Sequence, residues 1–489
     1  MANLKSLAKD TAIYGMSSII GRFLNYLLVP LYTAKISAAS GGYGVITNMY
    51  AYTALMLVIL TYGMETAFFR FANKEGEDSL RVYGTSLRMV GCTSLLFVAL
   101  VLVFLHPLSS FMGYGEHRSY VWVMFTTVAI DAFQCIPFAY LRYKQRALRF
   151  ASLKLLFIVL NIALNIIYYL VLGGTEVGYA FYINLACTAS ITFCFWKELR
   201  EGFSLGRSSW EETVALARRM LRYGWPILVL GIAGILNQTA DKILFPYLYR
   251  GTDAHAQLGI YGAASKIAMI MAMITQAFRY AYEPFVFGKA KDKDNRDTYA
   301  KAMKFFVIFA LLAFLFVVGT LDILRFVIGR DYWEGLRVVP VVMAAEIMMG
   351  IYFNLSFWYK LIDKTIWGAW FSGIGCVVLI TLNVVFVPRF GYMACAWAGF
   401  AGYGTAMVLS YLVGQRKYPI AYPVREIGVY VLLAIVLFVG MTMANRHLSA
   451  LPALGVNCLL FLVFAFYLCK RDFPLENIPF LGKYFKKHK

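Results

Sequence analysis

Long apolar segments recur along the whole chain of 489 residues, separated by short polar stretches. A helix needs about 20 mostly apolar residues to cross a bilayer, and backbone polar groups in hydrocarbon must be satisfied within the segment, as a helix does. The pattern predicts an all-α integral membrane protein with about 14 transmembrane helices. The predicted spans are 11–34, 45–69, 83–105, 119–140, 150–171, 177–198, 222–248, 258–283, 302–321, 336–358, 365–387, 392–414, 426–445 and 452–470.

Lys and Arg are distributed unevenly between the two sides of these predicted helices. Of the 46 basic residues, 32 fall on the side of the N-terminus, eight on the opposite side and six within helices. Because basic residues concentrate in cytoplasmic loops, this asymmetry predicts that both termini are cytoplasmic. The net charge of +20 is therefore interpreted as membrane topology, and no nucleic-acid partner is expected.

The composition excludes several functional classes. Hydrophobic residues make up 61% of the chain and charged residues 15%, against about 45–50% and about 25% in soluble proteins. A soluble enzyme, a nucleic-acid-binding domain and a disordered tail are thereby ruled out. The eight cysteines form no CxxC pair and none has a His at metal-ligand spacing, so we expect neither disulfides nor a structural metal. No catalytic or nucleotide-binding motif is present, and we predict a non-enzyme without a cofactor.

Short matches link the two halves of the chain. They are Tyr14-Gly15 with Tyr223-Gly224, Tyr43-Gly44 with Tyr261-Gly262, Leu164–Ile167 with Leu382–Val385, and Gly178-Tyr179 with Gly391-Tyr392. The period covers six helices, an even number, which predicts two halves of one orientation related by an axis along the membrane normal.

This repeat defines the predicted domain organisation. An N-lobe comprises residues 1–200 and a C-lobe residues 222–415, joined by a cytoplasmic linker, 201–221, with an amphipathic helix at 210–219. Two further helices lie in 416–470. The tail, 471–489, alternates aromatic and basic residues, which suits a segment on the surface of anionic membrane lipid.

Ionisable and amide side chains fall inside the predicted helices, where a charge costs about 2.5–3.5 kcal/mol unless it meets water or a partner. The set predicted to line a substrate cavity is Arg22, Asn25, Lys154, Asn161, Asn165, Asn237, Asp241, Lys242, Lys266 and Arg279. Its excess of cations favours an anion such as a phosphate or diphosphate. Asp131, Asp241 and Glu346 are candidate sites for coupling to protons or Na⁺.

Structural roles account for some of the same residues. Lys154 and Arg279 lie near cytoplasmic helix ends and could extend to the interface, and the asparagines could form interhelical hydrogen bonds. Asp241 and Lys242 could neutralise each other, although adjacent residues point about 100° apart on a helix. For Asp131 and Glu346, a local structural pairing is the alternative.

With these features, the chain resembles the MOP (MATE-like) exporter superfamily, specifically its polysaccharide-transporter branch of Wzx-type flippases. The resemblance covers nearly the whole chain. It rests on the helix number, the six-plus-six repeat, Arg22 followed by Pro30-Leu31-Tyr32 in the first helix, and Asn237 with Asp241-Lys242 in the seventh.

The resemblance implies two lobes around a cationic central cavity that opens alternately to either side. It implies a flippase in the cytoplasmic (inner) membrane that moves undecaprenyl-diphosphate-linked oligosaccharides from the inner to the outer leaflet. The implied partners are that lipid-linked oligosaccharide, anionic membrane lipids, and polysaccharide polymerase or chain-length machinery.

Two alternatives stay open. The first is another branch of the superfamily, a lipid II flippase or a MATE-type cation-coupled exporter, although Arg22 stands in the helix where many drug exporters carry an acidic pattern. The second is a membrane-embedded glycosyl polymerase or ligase. For such an enzyme the short outer loops offer only His106, His117 and Arg118 together.

Overall fold

A computed structural model describes residues 26–74, 76–205, 209–288, 295–362 and 364–472. In the first half the helices are α1 (Leu28–Lys35), α2 (Gly42–Thr61), α3 (Met64–Ala72), α4 (Ser79–Val103), α5 (Leu105–Phe111), α6 (Arg118–Tyr143), α7 (Ala147–Ile166), α8 (Gly178–Cys194), α9 (Trp196–Arg200) and α10 (Trp210–Leu248). A 3₁₀ turn (Ala38–Ser40) precedes α2, and π-helical turns (Ile167–Val171 and Glu201–Leu205) extend α7 and α9.

The second half continues in the same helical manner. Its α-helices are α11 (Ala254–Gly288), α12 (Asn295–Gly319), α13 (Leu321–Leu324), α14 (Val339–Leu355), α15 (Phe357–Leu361), α16 (Ile366–Phe390), α17 (Tyr392–Lys417), α18 (Val424–His447) and α19 (Ala450–Arg471). Two 3₁₀ segments, Arg325–Val327 and Arg330–Val338, connect α13 to α14. The described ranges contain no β-strand.

The predicted all-α membrane fold is confirmed. Within the described ranges, 12 helices are long and apolar enough to cross a membrane, and α8 with the following helix, bent by 59°, raises the number to 13. Most of the first predicted span, 11–34, lies outside the described residues. The amphipathic helix predicted at 210–219 is not separate, because it forms the first turns of the 39-residue helix α10.

The chain divides into two compact units. Unit 1 runs to Gly262 and includes Asn383–Tyr392, and unit 2 comprises Ala263–Leu382 and Met393–Lys489. The chain therefore passes between the units inside α11, near the end of α16 and at the start of α17. The predicted lobes 1–200 and 222–415 and their pseudo-twofold axis remain predictions.

Glycines bring α2 and α11 of unit 1 into backbone contact. A Cβ atom on Gly44 would lie 1.7 Å from the carbonyl oxygen of His255, and one on Gly259 would lie 2.9 Å from the Gly44 nitrogen. On the next turns, a Cβ on Gly262 would meet the Thr47 hydroxyl at 2.4 Å. Gly44 and Gly262 belong to the repeated Tyr-Gly motif, so both copies of that motif contribute to one helix interface.

A second close approach fixes α10 against the break between α2 and α3. Tyr62 and Gly63 adopt positive φ angles of 33° and 72°, which end α2 before α3 begins. A Cβ on Gly224 would lie 2.7 Å from the Tyr62 carbonyl oxygen, and one on Gly63 would lie 2.9 Å from the Gly224 carbonyl oxygen. Only glycine permits this approach, since each neighbour is a backbone atom that cannot move independently.

Ion pairs and amides attach the last two helices to α12 in unit 2. Lys304 on α12 pairs with Glu426 at 2.5 Å and also with Asp472. At the other end of α12, the Asn457 amide donates to the Gly319 carbonyl at 3.0 Å and to the Asn445 side-chain oxygen at 2.9 Å. The start of α18 and two points along α19 are thereby fixed to α12, and the end of α18 is joined to α19 through Asn457.

The α2–α11 contact generates a stability prediction. Gly44→Ala places a methyl group against a backbone carbonyl, so the two helices must separate, at a cost of about 1–3 kcal/mol for overpacking. Thermal unfolding in detergent, followed by tryptophan fluorescence, should show a clearly lower midpoint than for the wild type.

Gly234→Ala is the matched control, because no atom lies within 4 Å of its Cβ position. Alanine is a better helix former than glycine by about 1 kcal/mol, so this variant should keep or raise the midpoint. Equal midpoints for the two variants would contradict the close α2–α11 contact.

Candidate functional site

A partly buried ion pair near the end of α10 joins two residues of the predicted set. The Lys242 ammonium lies 3.1 Å and 3.0 Å from the two carboxylate oxygens of Asp241. It also donates to the Gln238 carbonyl at 3.0 Å, one turn earlier on the helix. Since an ammonium has three donors, these contacts satisfy it completely. The long, flexible lysine stem overcomes the 100° separation of adjacent residues.

Tyr261 completes this ion pair from α11. Its hydroxyl donates to Asp241 at 2.7 Å, and the Lys242 ammonium lies 5.5 Å from the centroid of its ring. Asp241 is buried, whereas the Lys242 side chain remains 24% exposed. Because Tyr261 also donates to Asp241, the Lys242 ammonium can move to another anion while Asp241 keeps one hydrogen-bond partner. We refer to Asp241, Lys242 and Tyr261 as the α10 charge cluster.

Asn48 on α2 supports the backbone of the same region. Its amide donates to the Lys242 carbonyl at 2.7 Å, and its side-chain oxygen accepts from the Tyr114 hydroxyl at 2.7 Å. Burial raises the pKa of Tyr114, a residue between α5 and α6, so its hydroxyl stays a protonated donor. Asn237, one turn before Asp241, is buried and donates to the Ala233 carbonyl at 3.0 Å.

A second group of charges lies between α6, α7 and α8. Asp131 accepts from the Thr188 hydroxyl at 3.4 Å and interacts electrostatically with Lys154. The Lys154 ammonium lies 3.9 Å from the centre of the Phe138 ring, a cation–π arrangement. Asp131 lines a cavity of about 180 Å³, together with Tyr50, Thr53, Thr127 and Asn184 among others.

Charges of alternating sign continue from this group. Lys154 also interacts electrostatically with Glu65 on α3, and Glu65 pairs with Arg142 at 2.5 Å. The Glu65 and Arg142 side chains are 43% and 44% exposed, so solvent as well as the opposite charge stabilises that pair, whereas Asp131 and Lys154 are each other's opposite charge. Nothing in the sequence spacing identified Arg142 as the partner of Glu65.

The two asparagines of α7 form a hydrogen-bond network inside unit 1. Asn165 donates to the Asn161 backbone carbonyl at 2.8 Å and accepts from the Tyr32 hydroxyl at 2.8 Å. Asn161 in turn donates to Asn184 on α8 at 3.5 Å. These bonds connect α1, α7 and α8, as expected if the asparagines form interhelical hydrogen bonds. Contact with a substrate stays a prediction for both.

The other predicted residues are distributed as follows. Arg22 and Asn25 lie outside the described residues. Lys266, Arg279 and Glu346 belong to unit 2 and are half-buried. Arg279 stacks on Phe353 with 4.5 Å between the guanidinium carbon and the ring centre, and it acts electrostatically on Tyr359. Their cavity roles, and the coupling roles of Asp131, Asp241 and Glu346, stay predictions.

Sequence reasoning missed Tyr261 and Asn48 as members of the site. Tyr261 appeared only as part of the repeated Tyr-Gly motif, which does signal a position of structural importance. Asn48 carried no such signal, because its role depends on α2 packing against α10. Across the described ranges, no three His, Cys, Asp or Glu side chains come close enough to hold a metal ion.

Comparison with known proteins assigns the chain to a family. A family model described as polysaccharide biosynthesis protein matches residues 7–282. The chain is similar to Lsg locus putative protein 1 of Haemophilus influenzae (strain ATCC 51907 / DSM 11121 / KW20 / Rd). The identity is 20% over 345 residues, which cover 66% of this chain and 77% of that protein.

Solved structures show the same fold at low identity. Lipid II flippase MurJ, in an inward closed conformation, superposes with a TM-score of 0.73 at 13% identity, covering 94% of this chain and 99% of MurJ. An inward-facing multidrug resistance MATE family transporter of the MOP superfamily gives a TM-score of 0.63 at 17% identity, covering 80% and 93%. Because the family model spans more than half of the sequence, the chain belongs to the polysaccharide biosynthesis protein family, a family of multi-pass membrane proteins, and it has the fold of MOP-superfamily transporters and flippases.

Proposed function

We propose that this protein is a flippase for oligosaccharides linked to undecaprenyl diphosphate. It moves them from the inner to the outer leaflet of the cytoplasmic membrane by alternating access, with both termini in the cytoplasm. The observation that carries the proposal is membership of a polysaccharide biosynthesis family on a fold shared with a lipid II flippase. A saccharide attached to a lipid carrier is a substrate class that agrees with both the family and the fold.

The charged side chains of the described helices support an anionic cargo. A diphosphate in hydrocarbon faces a desolvation cost of tens of kcal/mol, and a lysine can lower that cost as a mobile point charge. Lys242 suits this role because its ammonium is partly exposed and is held by hydrogen bonds that a phosphate oxygen can replace. During that exchange Tyr261 continues to donate to Asp241, so the carboxylate keeps a partner.

A lipid II flippase is the second candidate function. The specific observation in its favour is the superposition on MurJ, which includes 94% of this chain. Both candidates carry a saccharide on a lipid diphosphate, so the chemistry of the α10 charge cluster does not separate them. The two candidates differ in the lipid-linked intermediate that accumulates in cells that lack the protein.

Deletion of the gene in the native host is the experiment that separates the candidates. We expect loss of a surface polysaccharide and accumulation of its lipid-linked repeat units, with restoration by the plasmid-borne gene. Mass spectrometry of extracted lipids and immunoblotting of the cell surface measure the two effects. Growth arrest with accumulation of lipid II and an unchanged polysaccharide would instead identify a lipid II flippase.

The α10 charge cluster generates a prediction that separates cargo binding from structural neutralisation. Asp241→Asn, Lys242→Gln and the double variant should be compared in the complemented deletion strain. Lys242→Gln leaves the Asp241 carboxylate buried without its cation, which costs about 3–5 kcal/mol for a buried pair. The double variant removes both charges, so we expect its unfolding temperature to recover.

Transport by the double variant decides the question. If the Lys242 ammonium binds the diphosphate, surface polysaccharide should stay at least about tenfold below wild type, the equivalent of about 1.4 kcal/mol, despite recovered stability. Lys242→Arg keeps the charge and should retain most of the activity. Full activity of the double variant would show that the pair serves only to neutralise itself.

A further inference from the structure

A wide groove lies on unit 1 away from the α10 charge cluster. It has a volume of about 850 Å³ and is formed by Tyr62 at the end of α2, by α4 residues that include Met89 and Cys92, and by one face of α10. The size falls within the range of about 300–1,000 Å³ typical of small-ligand sites. Its walls are mostly hydrocarbon, which excludes a strongly polar ligand along most of its length.

Two arginines stand in the wall of this groove. Arg218 and Arg222 lie one turn apart on α10, so they share a helix face, with about 5–6 Å between their Cβ atoms. Both side chains are exposed, and in the part of the chain that the structure describes neither forms an ion pair. Two like charges at this spacing repel each other, so a shared anion would stabilise both.

The neighbouring charges of the same helix are used differently. Arg219 pairs with Glu77 at 2.8 Å, and Glu212 pairs with Arg81 at 3.5 Å. These pairs fix the first turns of α10 to the connection between α3 and α4 and to the first turn of α4. Arg218 and Arg222 are thus distinguished from the basic residues that hold the helix in place.

Apolar side chains continue from the arginines along the groove. Leu221 is 46% exposed and Trp225 is 66% exposed, and both line the groove with Leu228. Helix α10 has 39 residues, far more than the about 20 that cross the hydrocarbon. Counting about 20 residues back from its end at Leu248 places the hydrocarbon boundary near Leu228. The two arginines then lie at the depth of lipid head groups, and Trp225 at the interface that tryptophan favours.

We propose that this groove is a binding site for an acidic phospholipid. The phosphate group lies between Arg218 and Arg222 and accepts charge-assisted hydrogen bonds from both guanidinium groups. One acyl chain starts beside Trp225 and passes Leu228 toward the middle of the membrane. The bound chain covers Tyr62, so the lipid contacts the break between α2 and α3 that packs against Gly224.

The lining favours a phospholipid over a lipid-linked saccharide. Apart from the two arginines, the groove offers hydroxyl groups only from Tyr62 and Thr93. A sugar head group would find almost no hydrogen-bond partner on the groove wall beyond the two guanidinium groups. A phosphodiester with a small head group needs only the two guanidinium groups. The site is therefore proposed independently of the transport substrate.

Lipid retention by the purified full-length protein tests this site. Native mass spectrometry in a mild detergent, with titrated phosphatidylglycerol and phosphatidylcholine, gives the apparent affinity for each lipid. We expect tighter binding of phosphatidylglycerol and an affinity at least about tenfold lower in the Arg218→Gln/Arg222→Gln variant. The control is Arg416→Gln/Lys417→Gln, which removes the same charge from exposed residues at the end of α17 and should bind as the wild type does.

A second variant keeps the charges and fills the groove. Cys92→Trp introduces a large side chain at a lining position, and it should also lose phosphatidylglycerol while its thermal unfolding midpoint stays within a few degrees of wild type. Equal affinities for the two lipids, or equal losses in the α17 control, would overturn the site. Tighter binding of an undecaprenyl diphosphate than of phosphatidylglycerol at the same residues would overturn the choice of occupant. None of these outcomes depends on transport activity, so the proposed function can fail separately.

Discussion

A charge between apolar helices persists only beside an opposite charge or a hydrogen-bond donor, and unit 1 is organised around that constraint. Asp241 receives the Lys242 ammonium and the Tyr261 hydroxyl. Asp131 accepts from Thr188 and has the Lys154 charge nearby. Because every partner except Lys242 lies on a different helix from the carboxylate it contacts, these contacts fix which helices adjoin. In the proposed function, an anionic cargo exchanges with the Lys242 ammonium of this set.

Close backbone contacts supply the rigidity that such exchange requires. Gly44 places α2 against α11 beside Tyr261, and Gly224 places α10 against the Tyr62–Gly63 break. The cluster on α10 is therefore held between two backbone contacts that side-chain motion does not alter. In the proposed function, the Lys242 ammonium leaves its carboxylate to bind the diphosphate, while these backbone contacts keep α10 packed against its neighbours within unit 1.

The sequence predicted the membrane-spanning helices, whose length is set by the thickness of the hydrocarbon. It predicted few of the side-chain partners, which depend on how the helices pack. The spans emerged because each needs about 20 apolar residues. The sequence did not predict that α10 is continuous through 210–248, because its first turns have the polar pattern of a separate surface helix. Asp241 and Lys242 were identified by charge alone, but Tyr261 and Asn48 joined them only through packing of α2 and α11. Arg22 and Asn25, prominent in the sequence, lie outside the described residues.

Transbilayer movement of the lipid itself is the most direct measurement of the central claim. The purified protein is reconstituted into liposomes that contain a fluorescent oligosaccharide on a lipid diphosphate, and a quencher that cannot cross the membrane is added outside. If the protein is the proposed flippase, the inner-leaflet label becomes quenched with time in its presence and stays protected in empty liposomes. The same slow quenching with and without protein would contradict the account.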